Sequence, residues 1–282
     1  MPMRTILRLA CAAIGAALAW PADDAAAQRR QPASDVILAT TTSFRDTGLL
    51  DSLLPEFERA TGFRVRAVAV GSGQALRMGE RGDADVLLVH SPSAEEAFMR
   101  SGAGLRRQVV AYNFFALVGP AGDPARVAAA PTAAAAVQAI GVARLPFISR
   151  GDSSGTHVRE LALWTQGGGR PSWPGYEETG QGMAATLLVA DERRAYTLTD
   201  RATLASLARR IELTVLRPPE AALLNVYHVI EVAPAGRPRV NPLGARAFAD
   251  WITSPAVQDR IARFGPAGEA LFVAARGREP RP

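Results

Sequence analysis

The chain contains no lysine: all 32 of its basic residues are arginine, set against 27 acidic ones for a formal charge of +5. These arginines are dispersed rather than gathered into tracts, so the basic balance leaves no footprint for nucleic acid. Cysteine is nearly absent as well. Cys11 is the only one, and beyond it no thiol is available for a disulfide, a thiolate metal site or a nucleophile. Long hydrophobic runs are missing: the stretch from Leu9 to Trp20 falls short of the roughly 20 residues a spanning helix needs, and no other segment is long enough. The histidines, His90, His157 and His228, are scattered without metal-site spacing and read as core or surface residues rather than zinc ligands. What is present is ordinary, 48% apolar and 21% charged over 282 residues, enough for one large core or two medium ones.

The N-terminus carries a processing signal. Arg4 and Arg8 precede the apolar stretch, and Ala25-Ala26-Ala27 offers a small-residue cleavage site. Residues 1–27 are read as a signal peptide cleaved near Ala27, which implies export to a periplasm-like compartment. Arg8, three residues before Cys11, argues against a lipid-attachment site.

From there the pattern alternates strand and helix. Val36 to Ala39 is a short strand ending in the hydroxyl run Thr40-Thr41-Thr42-Ser43. A helix follows with Leu49, Leu50, Leu53, Leu54 and Phe57 on one side, broken or kinked near Pro55 and closed at Gly62. Arg64 to Val70 is a second strand, turning at Gly71-Ser72-Gly73 into a helix near Gln74. Val86 to Val89 is a third, followed by a helix whose Ser93 and Glu96 have capping-box spacing. Such units stack as a mostly parallel sheet whose loops after the strand C-termini gather along one edge, where open α/β sheets bind ligands.

A second α/β unit begins at Asn113 to Gly119. It proceeds through a helix at Pro131 to Ile140, a loop with Trp173 and Tyr176, a helix at Gly182 to Ala190, the Tyr196-Thr197-Leu198-Thr199-Asp200 segment and a helix at Arg201 to Arg210. Leu213 to Leu216 and Asn225 to Val232 are further strands. The helices near Leu243–Thr253 and Ala256–Phe264 lack a sheet of their own, so the chain must return to the first sheet. The result is two α/β lobes, each a mostly parallel sheet flanked by helices, joined by crossings near residues 112–118 and 217–230. Lobe I is residues 35–113 plus 227–274, lobe II is 114–226, and 275–282 is a tail; residues 28–34 and 275–282 are expected to fray.

The chemistry concentrates in Phe147-Ile148-Ser149-Arg150-Gly151-Asp152-Ser153-Ser154-Gly155-Thr156-His157, which reads as strand, loop and helix N-terminus. Free backbone amides, hydroxyls, a helix dipole and a guanidinium make such a turn an anion pocket. The same letters fit G-x-S-x-G, the elbow of a serine hydrolase, with Ser153 as nucleophile, Asp191 or Asp200 between, and His228 later in the chain. Against that alternative, Arg150 has no evident role beside a nucleophile, and the Thr40 to Ser43 run goes unexplained.

Taken in order, Thr40 to Ser43, Gly71 to Leu76, Asp83 to His90, Ser149 to His157 and Tyr196 to Arg201 resemble the periplasmic tungstate-binding proteins of bacterial ABC importers over nearly the whole mature chain. More distantly, Arg150 to Thr156 resembles phosphate-binding proteins of the same structural class. The resemblance implies a two-lobed, type II-like periplasmic binding fold closing about a hinge. It implies a receptor that captures tungstate, or alternatively molybdate, phosphate or sulfate, and delivers it to a membrane permease, without enzymatic activity or cofactor and as a monomer. A tetrahedral dianion needs donors on every side. Thr41, Thr42, Ser43 and Ser72 are expected to supply them from lobe I; Arg150, Ser153, Ser154, Gly155 and Thr156 are expected to answer from lobe II. Asp152 would repel a bare dianion, so it is expected to cap the next helix or orient Arg150; in a phosphate site it would accept the ligand's proton.

Overall fold

The computed structural model describes residues 35–169, 172–265 and 270–280. The signal peptide, its cleavage site and residues 28–34 lie outside the described residues. The elements run β1 (Asp35–Thr41), α1 (Thr42–Asp46), α2 (Leu49–Thr61), β2 (Arg64–Val70), α3 (Ser72–Arg81), β3 (Val86–Val89), α4 (Pro92–Arg100) and β4 (Gly104–Gly119). Then come α5 (Ala133–Val142), β5 (Phe147–Ser149), α6 (Gly155–Gln166), β6 (Tyr176–Glu178), α7 (Met183–Glu192), β7 (Thr197–Asp200) and α8 (Arg201–Leu207). The chain finishes with β8 (Thr214–Val215), β9 (Leu224–Val232), α9 (Pro242–Ile252), α10 (Pro255–Ile261) and β10 (Val273–Ala274).

Hydrophobic pattern explains where each strand sits. All four residues of β3 are buried, which suits a strand inside the sheet, whereas β2 alternates exposed and half-buried positions and forms its edge. The main sheet has the order β10-β4-β9-β3-β1-β2, with β7 and β8 added on β4, and β5 pairs with β6 in a separate small sheet. β1 runs parallel to β2 and β3; β3–β9 and every pairing of β4 are antiparallel. The expectation of mostly parallel sheets is therefore corrected to a mixed one. The reason is topological: the chain leaves its first half along β4 and returns along β9, and neighbouring outgoing and returning strands must oppose.

β4 is the spine. From Gly104 to Phe114 it pairs with β9, and from Phe115 onward with β7 and β8. The core changes at the same place. Leu38, Phe57, Val86, Tyr227 and Phe248 belong to clusters flanking the first part of β4, while Leu117, Phe147, Trp164, Leu187 and Leu198 belong to clusters around its second part.

Local chemistry corrects several details of the reading. α2 runs through Pro55 without interruption; the N–H that proline lacks would have bonded Asp51, which is exposed to water. α4 is capped from Ser91 rather than Ser93, with Pro92 at its first position, and Glu95, not Glu96, reaches back to accept from the Ser91 N–H at 2.6 Å. Thr40 and Thr41 finish a strand and Thr42 and Ser43 open a helix, so the hydroxyl run is not a loop. Nor is the start of the tail frayed: Ala275 N–H donates to the Val110 carbonyl and Arg276 N–H to Gln258 Oε1.

Candidate functional site

Five strands deliver their C-terminal ends to one region, and the loop residues there are small, hydroxylic or glycine. At the end of β1, Thr41 is the N-cap of α1; its Oγ1 accepts from Phe44 N–H at 3.3 Å and lies 3.4 Å from Ser43 Oγ. Thr41 and Ser43 are buried and Thr42 is half-buried. At the end of β2, Ser72 is fully buried as the first residue of α3, and its Oγ accepts from His90 N–H at 3.4 Å. That bond ties the second loop to the one after β3.

β5 feeds the most charged loop. Arg150 follows it directly and is only 3% exposed, an unusual depth for a guanidinium. Asp152 holds it: Arg150 Nη2 donates to Asp152 Oδ2, while Asp152 Oδ1 accepts from Ser154 N–H at 3.1 Å. Ser154 is the N-cap of α6, its Oγ accepting from His157 N–H at 3.3 Å. Asp152 thus orients Arg150 and braces the turn, leaving the capping to Ser154. Gly155 and Thr156 are the first residues of α6, where backbone N–H groups lack intrahelical acceptors. Two buried donors, Arg150 Nε and Thr156 Oγ1, find no hydrogen-bond partner among the described residues. Buried polar groups are seldom left so, because each costs its desolvation.

The two sets of loops meet. A Cβ placed on Gly71 would lie 3.7 Å from Ser154 Cα, and one on Gly73 would lie 3.8 Å from the Ser153 carbonyl. Gly155 is closer still: a Cβ there would stand 2.6 Å from His90 Cε1 and 2.9 Å from the His90 carbonyl, so a side chain is excluded. Arg150 lies near enough to Asp46 of α1, to His90 and to Asp200 for its charge to act on all three. Burial holds His90 down to about 4, so it is neutral at pH 7 and its Nδ1 bonds Asn225 Oδ1 at 2.8 Å. Burial pushes the Asp200 carboxyl above its ordinary range, opposed by two bonds from Thr203 and by Arg150; those bonds occupy both of its oxygens.

Of the residues expected from sequence, the structure brings Thr41, Ser43, Ser72, Arg150, Ser154, Gly155 and Thr156 to this seam as buried groups, with Thr42 half-buried. Ser153 differs. It is exposed, its backbone is left-handed at φ 58°, and its N–H donates to His157 Nδ1 at 3.0 Å. The relay partners read from sequence for a hydrolase nucleophile are engaged elsewhere: His228 sits with buried Glu95, 2.9 Å from its carboxylate, Asp191 accepts from the Glu212 and Leu213 amides, and Asp200 caps α8.

His90, Asn225 and Asn113 were not singled out as site residues in the sequence, and Asp200 entered there only as a possible partner of a Ser153 nucleophile. Asn225 Nδ2 donates to Asn113 Oδ1 at 2.9 Å and to Tyr227 Oη at 2.8 Å, linking the crossing strands β4 and β9. His90 and Asp200 each left a signal, as part of the Asp83 to His90 and Tyr196 to Arg201 motifs.

Comparison with known proteins agrees with this architecture. A protein-family model described as a PBP superfamily domain matches residues 26–256. The tungstate-binding protein TupA of Peptoclostridium acidaminophilum is 45% identical over 272 residues, 95% of each chain. Among solved structures, TupA of Desulfovibrio alaskensis aligns with a TM-score of 0.73 at 44% identity, covering 86% of this chain and 99% of that one. The tungstate ABC transporter structure from Geobacter sulfurreducens aligns with a TM-score of 0.74 at 42% identity, covering 82% and 98%.

Proposed function

The chain belongs to the PBP superfamily and, within it, to the family of tungstate-binding proteins, and from that premise we propose that it captures tungstate at the seam described above. In this reading it is the substrate-binding receptor of an ABC importer, not an enzyme. It is exported to the periplasm by residues 1–27 and, as a monomer, hands its anion to a membrane permease. Its halves act as lobes, residues 35–113 with 227–274 against 114–226, hinged where β4 and β9 pair.

One observation carries the choice of ligand class. The seam presents donors in surplus, Arg150 Nε and Thr156 Oγ1 among them, while the two buried or half-buried carboxylates near the arginine have their oxygens engaged, Asp152 by Arg150 and Ser154, Asp200 by Thr203; Asp46, which also feels the Arg150 charge, is exposed. Hydrogen phosphate carries a proton that must be accepted; tungstate, molybdate and sulfate are bare dianions that only accept. A site rich in donors, whose buried or half-buried carboxylates are already bonded within the protein, fits the second group better than the first. In this reading the first-half donors are Thr41, Thr42, Ser43 and Ser72, the second-half donors Arg150, Ser154, Gly155 and Thr156. Ser153, being exposed, shapes the turn.

In this reading the single guanidinium facing two negative charges is reinforced by the positive end of α6, whose first residues, Gly155 and Thr156, carry amides without intrahelical acceptors. Calorimetric titration of the mature protein with tungstate, molybdate, sulfate and phosphate tests the reading. Tungstate should bind at one site and phosphate far more weakly; no heat with tungstate refutes the assignment. Size-exclusion chromatography with light scattering checks the monomer.

A further inference from the structure

Beneath the arginine loop lies a carboxylate that takes no part in the seam. Glu160 is on α6, 1% exposed, and three donors from three elements converge on it. Ser149 Oγ, at the end of β5, donates to its Oε2 at 2.7 Å; Tyr176 Oη of β6 and Trp164 Nε1 of α6 donate to its Oε1 at 2.8 and 3.2 Å. Ser149 immediately precedes Arg150, and its Oγ also accepts from Gly151 N–H at 3.3 Å. Gly151 itself is pinched: its φ is +62°, and a Cβ there would fall 2.6 Å from Glu178 Cβ. The peptide joining Arg150 to Gly151 therefore has little room, and it is held from two sides: its N–H by the Ser149 hydroxyl and its carbonyl by the Gly180 N–H at 2.8 Å.

We propose that Glu160 is a positioning residue for oxyanion capture: by orienting the Ser149 hydroxyl it holds the N–H side of the Arg150–Gly151 peptide, whose carbonyl Gly180 holds, and so helps set the direction in which Arg150 enters the seam. A carboxylate suits the task because it accepts from all three donors at once. Three donors on one acceptor also tie β5, β6 and α6 into a rigid base under the loop. A purely structural carboxylate would need no path to Arg150; this one has a two-bond path through Ser149.

The proposal rests on the tungstate reading for its ligand, so the test separates the two. Glu160→Gln keeps the shape but turns one acceptor into a donor; Ser149→Ala cuts the same path from the other side. Each is measured, with their double variant and the wild type, for tungstate Kd by calorimetry and for melting temperature without ligand. The Gly151 amide resonance is followed in the ligand-free proteins. Each single variant should raise Kd about tenfold or more, the range seen for outer partners of bound-ion ligands. The double variant should be no worse than the worse single, since both break one chain. The Gly151 amide should shift in Glu160→Gln.

A wild-type Kd in Glu160→Gln, losses that multiply in the double variant, or an unmoved Gly151 amide each overturns the proposal. If Glu160→Gln does not fold, Ser149→Ala decides by the same Kd and Gly151 readouts. If the wild type binds no tungstate while the Gly151 amide still shifts, the ligand assignment fails and the path from Glu160 to the loop stands.

Discussion

Arg150 and Thr156 both bring donors that the protein leaves unsatisfied, yet their removal should have opposite effects on the ligand-free fold. Arg150→Ala takes a charge out of a buried pair and leaves Asp152 without it; anion affinity should drop by about 2–5 kcal/mol, and the ligand-free protein should also lose stability. Thr156→Val deletes a hydroxyl that has no partner, so the ligand-free protein should melt no lower than wild type, while affinity falls by about 1–3 kcal/mol. Paired calorimetry and melting curves check both. A Thr156→Val protein that melts lower but binds unchanged would remove that hydroxyl from the site.

Among elements, α6 carries the most. Its first residue touches the loop after β3, and because one of the atoms met is the His90 carbonyl, the obstacle to Gly155→Ala is backbone and cannot rotate aside. That substitution should hold the two loops apart and weaken anion binding while leaving the helix intact, since alanine favours helix over glycine. A crystal structure of the variant with tungstate, showing the β3 loop in its original place and full affinity, would contradict this. The same helix carries Glu160, whose carboxyl burial raises to about 7 from 4.5, against the bonds from Ser149, Tyr176 and Trp164. A raised folded-state value means the folded protein holds that proton more tightly than the unfolded chain. The stabilisation is full below about pH 4.5 and is lost as pH rises through about 7. Melting temperatures between these limits should therefore fall more with rising pH in the wild type than in Glu160→Gln; parallel profiles would show that Glu160 does not titrate there.

For the molecule as a whole, the two halves share β4 and β9 as their connection, with Asn113 opposite Asn225 in register and their side chains bonded. In the proposed reading this pair of strands, with polar side chains at the change of core, is the bending point; apart from Ala202 of α8, the buried apolar cluster around the first part of β4 draws on residues outside 114–226. Ligand favours the closed arrangement only through contacts absent when the halves part. Small-angle scattering of the mature protein should show a smaller radius of gyration with tungstate than without, and Arg150→Ala should lose most of that compaction. Identical profiles in the wild type would argue against hinge closure.

The sequence by itself determined the strand and helix order, because buried strands and amphipathic helices leave their period in the chain: β3 is a four-residue apolar run, and α2 shows its stripe at Leu49, Leu50, Leu53 and Phe57. It also determined the donor chemistry of the loops, since serine, threonine, glycine and arginine after strand ends have few other uses in such number. Tertiary structure alone decided the rest. Strand direction was not legible, because parallel and antiparallel partners leave the same periodicity, and so the opposition of β4 and β9 went unread. The place of Ser153 was not legible either: its left-handed backbone leaves it exposed between half-buried Asp152 and buried Ser154. The buried bond from Glu160 to Ser149 and the approach of His90 to Gly155 join residues 11 and 65 positions apart, and only folding brings such residues within hydrogen-bond or van der Waals reach.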